Sequence, residues 1–252
     1  NENQKQESWS DCYVAIRDAS TFIRNVYRNK DLNEQEITDQ RGQARFLRAY
    51  YYWLLLRKYG PIPIIPNDGE MDYSDSYEDL ALPRSSYDEC SDYIAEELRI
   101  AAGELEKDRT STEITRATRG AALALRAKVL LYAASPLANG NTEMADLTDD
   151  TGRNLISQEY DESKWARAAA AARDVMELGK YKIYVADRRY NNEGGEAYPM
   201  TILPPITDEN REYSTHDWPE GWQNIDPFES YRSLFNGDLI ASNNPEDRKS
   251  VV

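Results

Sequence analysis

One stretch of the chain, residues 213–224, places aromatic rings between amide and carboxylate side chains. The aromatic side chains are Tyr213, His216, Trp218 and Trp222. The polar side chains among them are Asp217, Glu220, Gln223 and Asn224. Sugars offer an apolar C–H face and directional hydroxyl groups, so flat rings interleaved with polar groups are typical of a carbohydrate site. Prolines flank this stretch, and we expect them to hold open a loop that exposes the rings.

A second set of candidate ligand-binding residues, Tyr73 and Tyr77, lies in an acidic loop predicted between Asn67 and Leu80. The chain has 18 Tyr and 5 Trp but 4 Phe, a usage that favours half-exposed rings with a polar tip. Carboxylates of this loop and of residues 146–150 are of the kind that calcium prefers. Neither segment has the spacing of an EF-hand loop, so we expect solvated surface and no metal site.

The sequence offers little for catalysis. It has one histidine, His216, which excludes metal sites built from several histidines. His216 beside Asp217 could still assist a nucleophile, but Cys12 and Cys90 both fall on helix-packing positions. There is no glycine-rich phosphate loop. We therefore predict a protein that is not an enzyme and needs no cofactor.

Composition restricts the ligands further. The 252 residues include 45 acidic and 30 basic side chains, which gives a formal charge of −15. Such a surface repels nucleic-acid backbones and anionic headgroups, so nucleic acid is not expected as a partner. The longest apolar runs, such as Tyr50 to Leu56, are far shorter than the ~20 residues of a membrane-spanning helix.

Five segments have apolar residues at helical spacing and are predicted to form helices. They cover residues 9–27, 41–59, 86–107, 118–135 and 163–179. Gly60-Pro61 ends the second, and Ser85 or Ser86 caps the third. Residues 181–185 read as a short edge strand or an extended exit, and residues 187–226 show almost no periodicity.

An internal repeat relates these helices. Residues of the second helix recur 78 positions later in the fourth, as in Arg41 and Arg119 or Ala49 and Ala127. The first and third helices share this offset, and Trp165 continues it. The pattern is close to that of tetratricopeptide repeats. It predicts a mainly α fold, with tetratricopeptide-like helix pairs forming an α-α superhelix in residues 1–185 and a loop-rich ligand or partner region in residues 186–252.

Several motifs resemble the SusD/RagB family. The most recognisable is the run from Arg45 through Trp53 to Lys58-Tyr59-Gly60-Pro61-Ile62-Pro63. Three further stretches agree in order: residues 118–136, 165–181 and 226–237. The resemblance implies a lipid-anchored protein on the outer surface of the outer membrane of Bacteroidota. It also implies a SusC-type TonB-dependent transporter as partner and a SusD-like fold whose loops carry most ligand contacts.

Two departures from the family affect these expectations. Family members are about twice as long, and this chain stops in what looks like an interior segment, so we expect a fragment truncated at its C-terminus. The lipidated cysteine is absent, so anchoring is implied by the family alone.

These observations lead to one main hypothesis and one alternative. The main hypothesis is capture of an oligosaccharide, or another nutrient, on exposed Trp and Tyr rings without bond cleavage, followed by delivery to the transporter. The alternative is a tetratricopeptide-like scaffold, or a RagB-like module, that binds peptides in its concave face.

Overall fold

Long helices make up the first part of the chain. The computed structural model describes residues 8–67, 81–110, 112–192, 199–239 and 244–245. The helices are α1 (Trp9–Asn25), α2 (Glu34–Tyr59), α3 (Tyr87–Glu104), α4 (Arg119–Ala134) and α5 (Ser163–Glu177). The prediction of a mainly helical fold is confirmed. Of the described helices, none is long and apolar enough to cross a membrane.

Side-chain caps explain where the middle helices begin. The Asn33 side chain accepts hydrogen bonds from the backbone N–H groups of Gln35 and Glu36, and the Glu36 carboxylate accepts one from the Asn33 N–H, which forms a capping box. Helix α2 therefore starts at Glu34, and the predicted start at Arg41 is wrong. Ser86 caps α3 in the same way, as its sequence predicts.

Helices that follow one another along the chain pack against one another, from α1 to α5. Helix α2 lies between α1 and α3 and buries side chains on both sides, among them Tyr52, Trp53 and Leu56. These residues form one apolar core with Ile16 of α1 and Leu98 of α3. Burial of this kind is the main force that holds such helix pairs together.

The repeat register holds for the first two helix pairs. Helix α1 begins at Trp9 and α3 at Tyr87, at the predicted offset, and the paired cysteines Cys12 and Cys90 are both buried. The register is only partly kept in α5, where Ala168 is buried but Trp165 is 39% exposed. The third copy therefore packs on one side only.

The segment after α2 has no regular secondary structure and is tied to the helices by two tyrosines. Gly60 has a φ of 72°, a conformation that glycine adopts readily. The Tyr13 hydroxyl donates to the Pro63 carbonyl oxygen at 2.8 Å. The Tyr52 hydroxyl oxygen accepts from the Ile65 N–H at 3.0 Å. These bonds satisfy backbone groups that an irregular segment would otherwise leave unpaired.

Contacts between Cα atoms divide the chain into two compact units, which separate between Leu178 and Gly179. We call the first the helical unit and the second the loop unit. The described regular elements of the loop unit are β1 (Ala186–Asp187), α6 (Arg211–Thr215), β2 (Ile225–Asp226) and α7 (Pro227–Arg232).

The two short strands are antiparallel and pair Ala186 with Asp226 and Asp187 with Ile225. A strand at residues 181–185 is not observed, because the pairing starts at Ala186, and these residues have no regular secondary structure. Asp226 is buried and accepts a hydrogen bond from the Thr201 hydroxyl at 2.8 Å. It also caps α7 through the Glu229 N–H. The strand pair and the hydrogen bonds of Asp226 thus hold the irregular segments next to it in place.

Candidate ligand-binding site

Backbone hydrogen bonds close the stretch Tyr213–Asn224, which we call the aromatic loop. The Trp222 N–H donates to the Tyr213 carbonyl oxygen at 2.7 Å, and the Gln223 N–H donates to that of His216 at 2.9 Å. Inside this closure, the N–H groups of Glu220 and Gly221 both donate to the Asp217 carbonyl oxygen. The expectation that flanking prolines hold the loop open is therefore wrong, since the loop is folded onto its own backbone.

Gly221 makes this closure possible. A β-carbon at this position would lie 2.3 Å from the His216 carbonyl oxygen and 2.4 Å from that of Tyr213. Both distances are far below any van der Waals contact, and both neighbours are backbone atoms that cannot turn away. Only glycine allows the two halves of the aromatic loop to approach this closely.

The end of the aromatic loop is fixed by Asn224 and Ile225. The Asn224 side-chain oxygen accepts from the Trp218 N–H at 2.7 Å, across the loop. The next residue, Ile225, is buried and belongs to β2. The loop therefore grows out of the strand pair, which gives it a rigid base.

The rings on this loop differ in exposure. Tyr213 is 55% exposed and Trp218 is 37% exposed, whereas Trp222 is half-buried. The rings of Tyr213 and Trp222 are 6.5 Å apart at an angle of 31°. Trp222 thus supports the more exposed ring of Tyr213. The Trp222 Nε1 atom is enclosed and has no hydrogen-bond partner within the described part of the chain.

The structure brings five of the seven predicted ligand residues into one loop. His216 and Gln223 are exposed there beside the three rings. Tyr73 and Tyr77, the other two, lie outside the described residues. Their assignment to a ligand site stays a prediction, as does that of the five residues in the aromatic loop.

Two residues that the sequence analysis missed adjoin this loop. Arg188 follows β1, its N–H donates to the Asn224 carbonyl oxygen at 3.2 Å, and its guanidinium donates to the Gln223 carbonyl oxygen at 2.9 Å. The guanidinium carbon lies 4.9 Å from the centre of the Tyr190 ring. No periodicity or motif marks Arg188 or Tyr190, because the pairing of β1 with β2 is what brings them here.

The helical unit has a separate groove of about 790 Å³. It lies between α1, α2 and residues 115–117, and its apolar lining includes Phe22, Leu47 and Tyr51. Gln43 fixes its wall by pairing its amide with the backbone N–H and carbonyl of Ala117, both at 2.9 Å. An apolar groove of this kind is what the peptide alternative requires.

Within the described ranges, no three potential metal ligands come together. Asp149, in one of the two acidic segments, accepts hydrogen bonds from the Thr151 hydroxyl and backbone and from Arg153. The Thr151 hydroxyl and these other donors hold the pKa of Asp149 well below its usual range. Its oxygens are therefore occupied by the protein itself. The other acidic segment, residues 68–79, lies outside the described residues.

The chain is similar to a known protein family and to several solved structures. The model of a SusD-like family, described as starch-binding and associating with the outer membrane, matches residues 1–131. No curated protein matches the chain. Among solved structures, the protein BT4246 is 31% identical with a TM-score of 0.63, over 81% of this chain and 36% of that protein.

Two further structures are similar. A SusD-like protein from Bacteroides fragilis is 22% identical with a TM-score of 0.55, over 96% of this chain and 43% of its own. A SusD homologue from Bacteroides thetaiotaomicron is 25% identical with a TM-score of 0.52, over 71% of this chain and 30% of its own. These likenesses confirm the predicted tetratricopeptide-like helical fold. In each case the chain spans less than half the length of the protein that it matches.

Proposed function

Because the chain belongs to the SusD-like family, we propose that it binds glycans through the aromatic loop and does not cleave them. The observation that carries this proposal is the exposure of Tyr213 and Trp218 on a loop whose backbone is fixed. Exposed aromatic rings cost solvation energy, and a protein that holds them rigidly reduces the entropy lost on stacking a ligand against them.

The polar side chains of the loop are suited to the hydroxyl groups of a sugar. The side chains of Gln223, Asp217 and Glu220 are exposed beside the rings and can accept or donate hydrogen bonds to hydroxyl groups. The Trp222 Nε1–H is enclosed and out of reach of a ligand, so the exposed polar side chains are the groups that can bond to the sugar.

The charge of this surface favours neutral glycans. Five carboxylates in residues 208–220 are exposed: Asp208, Glu209, Glu212, Asp217 and Glu220. Arg211 is paired with Asp208, and Arg188 is held against Gln223. The remaining negative potential repels uronic acids and sulfated sugars, and added salt weakens this repulsion.

We also propose that the glycan is passed to a SusC-type TonB-dependent transporter at the outer surface of the outer membrane, where a lipid anchor would hold the protein. The description of the matching family model, starch-binding and associating with the outer membrane, supports this placement. Co-purification of the tagged, membrane-extracted protein with a TonB-dependent transporter tests the partnership. Recovery of the protein from the membrane fraction without any such transporter argues against it.

The alternative function is peptide binding in the groove of the helical unit. Its support is the apolar lining and the clamped wall at Ala117. A substitution in each site separates the two functions. Leu47→Asp places a charge on the groove, and Trp218→Ala removes a ring from the aromatic loop.

The proposed function is tested by measuring both the retention of ligands by the protein and the formation of cleavage products. The protein is incubated with neutral oligosaccharides from starch, cellulose and xylan, and with a mixed peptide library. We expect glycans to be retained unchanged and retention to depend on Trp218. Retention of peptides that depends on Leu47 would establish the alternative, and glycan cleavage that a carboxylate substitution abolishes would exclude a binding module.

A further inference from the structure

Tyr190 presents a second exposed ring close to the aromatic loop. Tyr190 is 70% exposed, and the guanidinium carbon of Arg188 lies 4.9 Å from the centre of its ring. An arginine above one face of a ring holds the ring in one orientation by cation–π attraction. With 70% of the residue exposed, the ring can also stack on a ligand.

Arg188 connects this ring to the aromatic loop. Its guanidinium donates to the Gln223 carbonyl oxygen at 2.9 Å, and its backbone N–H donates to that of Asn224 at 3.2 Å. Asn224 in turn accepts from the Trp218 N–H at 2.7 Å. Hydrogen bonds therefore fix Arg188 against the loop that carries Trp218, and the cation–π contact links Tyr190 to Arg188. Two separate flexible residues would not be linked in this way.

From this geometry we infer that Tyr190 forms a second stacking subsite and that Arg188 is its positioning residue. The ligand class that fits is a neutral oligosaccharide long enough to contact the aromatic loop and Tyr190 at the same time. We expect a disaccharide, the shortest ligand of such a series, to contact the aromatic loop alone. This inference rests on the proposed glycan-binding function and adds the length of the ligand to it.

Two subsites that bind the same oligosaccharide should make its affinity depend on its length. Binding at the second subsite is intramolecular once the first is filled, so it strengthens affinity without a new association step. An exposed ring that stacks on a flat ligand contributes about tenfold or more in affinity. Affinity should therefore rise by about tenfold between the disaccharide and the hexasaccharide of one series.

The experiment measures dissociation constants by calorimetry for maltose, maltotriose and maltohexaose, with the matching cello- and xylo-oligosaccharides beside them. The variants are Tyr190→Ala and Tyr190→Phe, which keeps the ring. Tyr160→Ala serves as control because Tyr160 has a similar exposure, 65%, and lies in the helical unit.

The expected result is that Tyr190→Ala loses about tenfold in affinity for the hexasaccharide and nothing for the disaccharide. Tyr190→Phe and Tyr160→Ala should keep the dependence on length. Equal affinities of the wild-type protein for short and long ligands would overturn the inference, as would an equal loss for both ligands in Tyr190→Ala, while glycan binding itself would stand. If none of the sugars binds, the proposed function fails together with the inference.

Discussion

Arg48 of α2 and Glu97 of α3 form an ion pair inside the helical unit, with side chains that are 2% and 4% exposed. The Arg48 Nε lies 3.0 Å from one oxygen of Glu97, and Arg45 donates to the other oxygen at 3.0 Å. Arg48 also donates to the Ser20 hydroxyl of α1 at 3.1 Å. The Arg48 guanidinium thus links three helices, and Arg45 is shared between Glu97 and Glu104.

Removal of this carboxylate charge should destabilise the helical unit. Glu97→Gln leaves Arg48 buried without a counter-charge, which we expect to cost about 3–5 kcal/mol of the free energy of unfolding. The neighbouring Glu96, which pairs with Arg99 at an exposed site, provides a matched control. Glu96→Gln should change stability little, because exposed pairs are screened by water. Similar urea midpoints for the two variants would contradict this account of the buried pair.

The repeat makes a second prediction about stability. Ala49 is fully buried in the main core, and its repeat partner Ala127 is packed against a smaller cluster. Enlarging either to Leu should overpack a helix interface and cost roughly 1–3 kcal/mol, more at Ala49 because it has no exposed side. Ala124→Leu, at an exposed position of α4, is the control. Melting temperatures that stay unchanged in both test variants would show that the repeat alignment is wrong.

Gly221 allows a test of the loop closure. Gly221→Ala puts a methyl group into two backbone oxygens, so the aromatic loop must open and glycan binding should fall by about tenfold or more. The helical unit has no reason to change, and its circular dichroism should be that of the wild type. Gly103→Ala, in α3, meets no atom within 4 Å and should leave binding intact. Undiminished binding by Gly221→Ala would show that the observed closure does not matter for the ligand.

Buried tyrosines predict a loss of stability in alkali. Burial raises the pKa values of Tyr52 and Tyr87 to about 12 from an ordinary value of 10.0. A raised pKa in the folded state means that folding is favoured below pH 10, and that this contribution is lost as the pH rises towards 12. Unfolding free energies measured across this range should therefore decline. Tyr87→Phe should decline less steeply, and a slope equal to that of the wild type would contradict the assignment.

Much of the helical unit follows from local signals in the sequence. Ser86 with Glu89 gives the start of α3, and Gly60-Pro61 gives the end of α2, since both depend on residues adjacent in the chain. The start of α2 could also have been predicted from the sequence, because Asn33 and Glu36 have the spacing of a capping box. The amphipathic pattern of α2 is weak only because the helix is buried on both sides.

The site in the loop unit was predicted less completely, and the reason is physical. Aromatic and polar residue types suggested the segment at Trp218, but its closure depends on hydrogen bonds between backbone groups, which no side-chain pattern encodes. Tyr190 reaches the site through a pairing of two-residue strands. Such pairings depend on distant parts of the chain and leave almost no periodicity.

The central claim is tested most directly by comparing two exposed tryptophans. Trp218 in the aromatic loop is 37% exposed and Trp165 in α5 is 39% exposed, so their substitution by alanine removes equal rings of similar exposure. Affinity for the retained glycan is measured by calorimetry, and stability by urea unfolding. We predict that Trp218→Ala weakens binding about tenfold, or by ~1.4 kcal/mol, with nearly unchanged stability, and that Trp165→Ala binds like the wild type. Unchanged affinity in Trp218→Ala, or an equal loss in both variants, would contradict the placement of the glycan on the aromatic loop.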